Sequence, residues 1–133
     1  MKTVRVVAAV IRDNNRIFAT QRGYGDLKGG WEFPGGKMEQ GESEIQTLER
    51  ELREELEIKV EILDKFYQVE HDYPDFHLSM ALYECKMLSH NFKMNVHKDI
   101  KWVKPQDMLS LDWAEADLPV AEKLVRSNDL ACE

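Results

Sequence analysis

The amino-acid sequence predicts a single domain of the α/β or α+β class, in which helices pack on a mixed β-sheet. Segments with the two-residue period of strands and segments with the helical period alternate irregularly along the chain, which is typical of these classes. The 133 residues suffice for one sizeable core, and 43% of them are hydrophobic. Because no repeat, linker or low-complexity stretch divides the chain, we expect one domain over residues 1–133.

The N-terminal part predicts a β-hairpin followed by a glycine-rich loop. Alternating apolar residues indicate a strand at 3–11, and residues 16–22 indicate the strand that returns after a turn. Residues 23–30 contain four glycines and predict a loop. The short extended stretch at 31–33 is expected to stop at Pro34-Gly35-Gly36.

The remaining chain predicts two helices and further strands. In order, these are a helix (43–56), four strands (58–62, 65–71, 76–87 and 99–103) and a C-terminal helix (118–125). The first helix has a clear start, because Ser43 precedes Gln46 at the spacing of a capping box. Its apolar residues form one stripe that would face the core: Ile45, Leu48, Leu52 and Leu56.

Acidic residues form a ridge beside that stripe. Glu51, Glu54 and Glu55 stand at i, i+3 and i+4, so their side chains share one side of the helix. Like charges at this spacing disfavour a helix by about 0.2–0.5 kcal/mol per pair, and acids near its C-terminus oppose the helix dipole. The arrangement therefore indicates a function. Arg50 and Arg53 can neutralise part of the ridge, so a solvated, charged helix face is the alternative.

The glycine turn before the helix favours a metal site. Gly35 and Gly36 would allow backbone groups to approach a ligand closely, because glycine has no side chain; an ordinary tight turn is the alternative. Carboxylates and a backbone carbonyl are hard oxygen donors, which suit Mg²⁺ or Mn²⁺ together with substrate phosphates. Such ions neutralise a polyphosphate and polarise water for attack at phosphorus.

The segment 36–58 resembles the Nudix box, and the matching residues are Gly36, Glu42, Arg50, Glu51, Leu52, Glu54, Glu55 and Ile58. A match at fixed spacing over such a length is far more specific than a glycine-rich loop alone. Two positions depart from the family. Glu57 replaces the glycine that ends the box helix, at a cost of about 1 kcal/mol in left-handed backbone. Val96 stands where many relatives carry a further glutamate, with His97 and Asp99 nearby.

The resemblance implies a fold and a catalytic site. The fold would be the Nudix fold, an α/β/α sandwich with a mixed β-sheet and the box helix against it. Glu51, Glu54 and Glu55 would carry the metal together with the carbonyl of Gly35. Arg50 would orient a glutamate by ion pairing. Glu42 would support the loop or the metal network.

The stretch Glu-Phe-Pro-Gly-Gly-Lys around Phe33 resembles the MutT-type branch, which hydrolyses nucleoside triphosphates to the monophosphate and pyrophosphate. Phe33 and Tyr73 are candidate walls of a base pocket, and Gly36 and Arg22 are candidate contacts to the remainder of the substrate. Asp117 matches the base-reading position of MutT-type and CTP-type enzymes. When ionised, it would accept hydrogen bonds from guanine, 8-oxoguanine or cytosine. A helix N-cap and a surface charge are the alternative roles of Asp117 and Arg22.

The expected function is Mg²⁺-dependent hydrolysis of a nucleoside triphosphate, of the 8-oxo-dGTP, dGTP or CTP kind, in nucleotide-pool sanitation. Another Nudix substrate, such as a dinucleoside polyphosphate or a nucleotide sugar, is an alternative. A nucleotide-binding module with weak catalysis is a second alternative. From a different class, the charged helix would belong to an ordinary interaction domain.

Composition limits the expected partners and location. The net charge of −7 argues against binding to a nucleic-acid polymer or to an anionic membrane surface. The longest apolar run, residues 6–11, is far shorter than a membrane span. No secretory signal fits the N-terminus, and Cys85 and Cys132 form no metal motif. We therefore expect a cytoplasmic protein, as a monomer or a homodimer, and the Nudix resemblance implies a nucleoside triphosphate as its partner.

Overall fold

The computed structural model describes residues 2–22, 30–88 and 97–131. The strands are β1 (Lys2–Asp13), β2 (Arg16–Arg22), β3 (Trp31–Glu32), β4 (Gly35–Lys37), β5 (Val60–Asp72), β6 (Phe76–Met87) and β7 (His97–Val103). The helices are α1 (Glu44–Leu56) and α2 (Leu118–Ala131), with a 3-10 helix at Pro105–Ser110. Most of the predicted loop 23–30, Val96, the side chain of His97 and Cys132 lie outside the described residues. No helix of the described ranges is long and apolar enough to cross a bilayer.

The sheet is mixed, as predicted, and β1 lies at its centre. β1 pairs in parallel with β6 along almost its whole length, while β5 continues the sheet antiparallel to β6. Along its other edge β1 pairs antiparallel with two strands in succession, β4 at residues 6–8 and β2 at residues 12–13. β2 also carries β3 and β7. Because β2 leaves β1 after the hairpin, β4 fits into the gap, and this gap is where the candidate site forms.

Helices cover both faces of the sheet, which confirms the predicted α/β/α sandwich. Successive strand residues point to opposite faces, so a strand covered on both sides must be apolar throughout. Residues 7–11 of β1 meet this requirement, because all of them are apolar. Each is at most 1% exposed. The two sets are Val7, Ala9 and Ile11 toward α1, and Ala8 and Val10 toward α2.

Three elements differ from the sequence-based expectation. The extended stretch does not stop at Pro34-Gly35-Gly36: Gly35 begins β4, because the open edge of β1 offers it backbone partners. The predicted strands 58–62 and 65–71 form the single strand β5, which begins at Val60 and not at residue 58. Its pairing with β6 is irregular between Ile62 and Tyr67 and breaks the alternation of side chains. Helix α2 continues to Ala131, beyond the expected end at residue 125.

The buried face of α1 extends toward the acidic ridge. Leu48, Leu52 and Leu56 are buried as predicted, but Ile45 is 45% exposed and Thr47 is completely buried. At 100° per residue, Thr47 lies on the Glu51 side of the leucines, whereas Ile45 lies within their arc but in the first turn of the helix. The prediction was therefore wrong for Ile45, and the burial of Thr47 extends the buried face toward the flank that carries Glu51.

Candidate active site

Helix α1 has the start and the end that the sequence predicts. Ser43 Oγ accepts from the Gln46 backbone N–H at 3.1 Å, and Gln46 Oε1 accepts from the Ser43 N–H at 2.9 Å, which confirms the capping box. At the other end Glu57 adopts left-handed backbone with φ of 54°, and its N–H donates to the Arg53 carbonyl. The helix ends as the glycine of the box would end it. The two caps fix the residues at which the helix that carries the acidic ridge begins and ends.

Arg50 lies at the centre of a hydrogen-bond network. Its Nε and Nη2 donate to the two carboxylate oxygens of Glu42 at 2.7 and 2.9 Å, and Nη2 also donates to the Lys37 carbonyl at 3.0 Å. Its Nη1 donates to Glu51 Oε1 at 2.8 Å and to Glu54 Oε2 at 3.3 Å. Hydrogen bonding to Glu42 raises the pKa of Arg50 above its ordinary value. The charged guanidinium thereby connects β4, the loop before α1 and the ridge.

Glu42 anchors this network in the loop before α1. Besides the two bonds from Arg50, its Oε1 accepts from the Glu39 backbone N–H and from the Thr47 hydroxyl, each at 2.9 Å. Hydrogen bonding from Arg50, followed by that from the Glu39 N–H, lowers the pKa of Glu42 to about 2. Glu42 is therefore charged at neutral pH and holds the guanidinium by two bonds in one plane.

Glu51 and Glu55 lie against each other on the ridge. The Glu51 side chain is 14% exposed. Burial raises the pKa of Glu51, and hydrogen bonding with Glu55 raises it further, while Arg50 acts in the opposite direction. Two neighbouring carboxylates cannot both ionise without a cost, which a divalent cation between them would remove. Their oxygens are the donors that Mg²⁺ and Mn²⁺ prefer, so the residues present fit such an ion.

Glu54, the third predicted metal ligand, occupies a different position. It accepts from Arg50, its side chain is 57% exposed, and it is not among the described residues that line the cleft below. Within residues 2–22, 30–88 and 97–131, no group of three or more acidic, histidine or cysteine side chains is arranged so that it could hold a metal ion by itself. The structure thus groups two of the three predicted carboxylates. Mg²⁺ often binds through one or two carboxylates and retains waters.

The two glycines of β4 have separate structural roles. A Cβ on Gly35 would lie 2.0 Å from the backbone oxygen of Val7, so Gly35 permits the close approach of β4 to β1. A Cβ on Gly36 would lie 2.3 Å from the carboxylate of Glu51. Gly36 therefore leaves the space that the Glu51 carboxylate fills. The structure thus shows close approach of the two glycines to β1 and to Glu51, and the close approach to a ligand that the sequence indicated stays a prediction.

The carbonyl of Gly35 points away from β1. On either side of it, the Pro34 carbonyl accepts from β1 at 2.8 Å and the Met38 N–H donates to β1 at 2.9 Å. Because bonding directions alternate along a strand, the carbonyls of Gly35 and Lys37 face the opposite edge. There the Lys37 carbonyl accepts from Arg50. The Gly35 carbonyl is therefore directed to the edge of β4 that faces the Arg50 network.

A cleft of about 730 Å³ runs from the acidic ridge to the start of α2. The predicted site residues that line it are Arg22, Phe33, Gly35, Gly36, Glu51, Glu55, Tyr73 and Asp117. Its floor is apolar and comes from β1 and β6, with Val4, Val6, Leu78 and Met80. Arg50 is not among the described lining residues and acts on the cleft through Glu51. A cleft of this size can hold a small molecule, and its lining combines an apolar floor with charged side chains.

Asp117 lies at the far end of the cleft and is 5% exposed. Its backbone carbonyl accepts from the N–H groups of Val120 and Ala121 at the start of α2. Burial raises the pKa of its carboxyl group well above the ordinary value, and the charge of Glu32 adds to this, whereas Arg22 opposes it. The sequence analysis assumed an ionised Asp117, whereas burial favours its protonated form. A protonated carboxyl group can donate as well as accept hydrogen bonds.

Glu32 and Phe76 also line this end of the cleft, and sequence reasoning did not identify them as site residues. Arg22 Nη2 donates to Glu32 Oε2 at 3.2 Å, so Arg22 is part of the site and not an isolated surface charge. Trp113 stacks on Phe33 with ring centroids 4.8 Å apart, and Phe76 stacks on Tyr73 at 5.0 Å. The Tyr73 hydroxyl also accepts from the backbone of the Asp117 loop at 3.3 Å. Arg22 and Glu32 lie on the paired strands β2 and β3, and Tyr73 and Phe76 lie in the hairpin that joins β5 to β6. The segment of Trp113 and Asp117 comes from far along the chain, and no local sequence signal predicts its contacts with Phe33 and Tyr73.

Comparison with known proteins places this arrangement in a family. Residues 6–123 match the model described as the NUDIX domain. The chain is 34% identical to the CTP pyrophosphohydrolase of Escherichia coli K12, with 92% of this chain and 91% of that protein covered. It is 30% identical to the 8-oxo-dGTP diphosphatase of the same organism, over 95% and 99% of the two chains.

A solved structure agrees with these relatives. The solution structure of the DNA mismatch repair protein MutT, a Nudix hydrolase from methicillin-resistant Staphylococcus aureus 252, superimposes with a TM-score of 0.78. The two sequences are 34% identical, and the superposition covers 96% of this chain and 99% of that one. Because the family model spans the box, nearly all of the sheet and the first part of α2, the chain belongs to the Nudix hydrolase family.

Proposed function

We propose that the protein hydrolyses a nucleoside triphosphate to the nucleoside monophosphate and pyrophosphate, with Mg²⁺ or Mn²⁺ as its cofactor. One observation carries this proposal: the adjoining carboxylates of Glu51 and Glu55 line one end of the cleft, while Asp117 and aromatic side chains line the other. A triphosphate chain would lie at the acidic end and its base at the other. Relatives named for CTP and 8-oxo-dGTP support this substrate class.

The residues of the acidic end would hold the cation and keep it in position. Glu51 and Glu55 would bind it, with the Gly35 carbonyl and Glu54 as further ligands. Arg50 would keep Glu51 oriented through the bond of 2.8 Å from its Nη1. When bound, the cation neutralises phosphate charge and activates water for attack at phosphorus. We propose that a ridge carboxylate accepts the proton of that water, since Val96 replaces the family's further glutamate.

The residues of the other end would select the base. Phe33 and Tyr73 would contact its ring, while Asp117 would form hydrogen bonds with its amino and ring nitrogen atoms. Arg22 would lie near the sugar or the phosphates, and Gly36 leaves room for the substrate beside β4. Guanine, 8-oxoguanine and cytosine each offer an amine or ring N–H that Asp117 can bind. A cytoplasmic location and a role in nucleotide-pool sanitation agree with this chemistry.

A product analysis over a nucleotide panel tests the proposal. We expect that CTP, dCTP, dGTP and 8-oxo-dGTP with Mg²⁺ yield monophosphate and pyrophosphate, separated by ion-exchange chromatography, and that EDTA abolishes turnover. A dinucleoside tetraphosphate and a nucleotide sugar serve as comparison substrates. Faster cleavage of either one would show that the substrate belongs to that class and not to the nucleoside triphosphates. Tight nucleotide binding without any product would favour the binding module, and orthophosphate release would contradict the proposed reaction.

A further inference from the structure

We propose that Thr47 is a positioning residue for the metal-binding carboxylates and acts through Glu42 and Arg50. The inference rests on the proposed function, because it assumes that Glu51 binds a cation. Thr47 does not line the cleft among the described residues, so it would act without touching substrate or metal.

Three consecutive hydrogen bonds join Thr47 to the ridge. The Thr47 hydroxyl donates to Glu42 Oε1 at 2.9 Å, and the same oxygen accepts from Arg50 Nη2 at 2.9 Å. Arg50 Nη1 then donates to Glu51 Oε1 at 2.8 Å. Thr47, Arg50 and Glu51 stand at i, i+3 and i+4 of α1, so the three side chains leave the helix on one side.

The hydroxyl of Thr47 has a role that packing alone does not require. Thr47 is fully buried, and a valine of nearly the same shape would fill the position without a polar group. A buried threonine inside a helix commonly bonds to a carbonyl of its own preceding turn. Here the hydroxyl instead donates out of the helix, to a carboxylate in the preceding loop. The Thr47 hydroxyl therefore acts on the carboxylate of Glu42 and not on the backbone of its own helix.

Glu42 needs this support because several carboxylates compete for Arg50. The Arg50 Nη1 lies 2.8 Å from Glu51, 3.3 Å from Glu54 and 3.5 Å from Glu39. The two parallel bonds to Glu42 set the plane of the guanidinium and hence the direction of Nη1. By fixing one Glu42 oxygen, Thr47 favours the orientation in which Arg50 holds Glu51. Rotation of Glu42 would allow Arg50 to turn toward the exposed acids.

Metal binding without nucleotide tests the inference. We would measure Mn²⁺ affinity by electron paramagnetic resonance for the wild type, Thr47→Val and Thr47→Ser. Outer residues that orient metal ligands commonly change affinity by about 10–100-fold. Arg50 is such a residue, and Thr47 lies two hydrogen bonds further out, so we expect about threefold to tenfold weaker binding for Thr47→Val. Thr47→Ser should remain within about twofold of the wild type, and neither variant should change KM for the nucleotide.

The matched control is Thr20→Val, which also removes a fully buried hydroxyl, one that donates to the Glu32 carbonyl outside this network. It should leave Mn²⁺ affinity unchanged. Wild-type affinity in Thr47→Val, or equal weakening in Thr47→Ser, would overturn the positioning role. If Thr47→Val does not fold, Thr47→Ala provides the same comparison without added bulk. Absence of Mn²⁺ binding by the wild type would instead contradict the proposed function itself.

Discussion

Replacing Glu51 or Glu55 with glutamine is expected to lower kcat on the order of 10²–10⁴-fold while the protein remains folded. Glutamine has almost the same shape but lacks the charge that would bind the cation. The two carboxylates also repel each other, and burial already disfavours the charged form of Glu51. Each variant should therefore unfold at the wild-type temperature or slightly above it. Steady-state kinetics and thermal unfolding monitored by circular dichroism measure both effects.

The control for these substitutions is Glu49→Gln. Glu49 lies on α1 as well, but it is exposed and belongs neither to the ridge nor to the described lining of the cleft. Its kcat should stay within about twofold of the wild type, as surface substitutions rarely matter. Near-wild-type turnover in either ridge variant would show that the pair is not the metal-binding group. Unfolding of both variants would show that the two acids have a structural role.

Replacing Gly36 with alanine is expected to separate activity from stability. The added Cβ would meet the carboxylate of Glu51 at 2.3 Å, and this carboxylate is the end of a side chain that can rotate away. The chain should therefore still fold, but with Glu51 displaced from Arg50 and from the cleft. We expect a loss of kcat/KM of about 10–100-fold, comparable to the loss of an orienting contact at a metal site.

Gly35→Ala is the comparison variant for Gly36→Ala. There the added Cβ would meet the backbone of β1 at 2.0 Å, which cannot rotate away. We expect a loss of about 1–3 kcal/mol in the free energy of unfolding, as for other overpacked sites. Urea unfolding should therefore separate the two variants, because Gly35→Ala loses stability whereas Gly36→Ala keeps its stability and loses kcat/KM. A folded Gly36→Ala protein with wild-type kcat/KM would show that the position of Glu51 does not limit catalysis.

Features that depend on residues close together in the chain were predictable from the sequence. The capping box of Ser43 and Gln46 and the spacing of the acidic ridge follow from helix geometry, which is fixed at 100° per residue. The left-handed conformation of Glu57 follows from the position of a helix end. The mixed sheet and its two helical layers followed from the alternation of segments and from the resemblance to the Nudix fold.

Features that depend on contacts between distant segments were not predictable in this way. Strand β4 exists because the edge of β1 accepts it. The stacking of Phe33 on Trp113 joins two segments that are far apart in the chain. Burial of Asp117, which raises its pKa, requires the whole end of the cleft to be assembled around it. None of these has a periodic signature in the sequence.

Anomalous diffraction from crystals grown with Mn²⁺ would locate the cation directly. The central claim is that Glu51 and Glu55 form the metal site. On this claim the two carboxylates remain neighbours, despite their repulsion, because a divalent cation would bind between them and the phosphates. We expect an anomalous peak within coordination distance of both carboxylates and next to the Gly35 carbonyl, and no such peak in Glu51→Gln crystals. A peak elsewhere on the protein, or none at a Mn²⁺ concentration that supports turnover, would contradict this assignment.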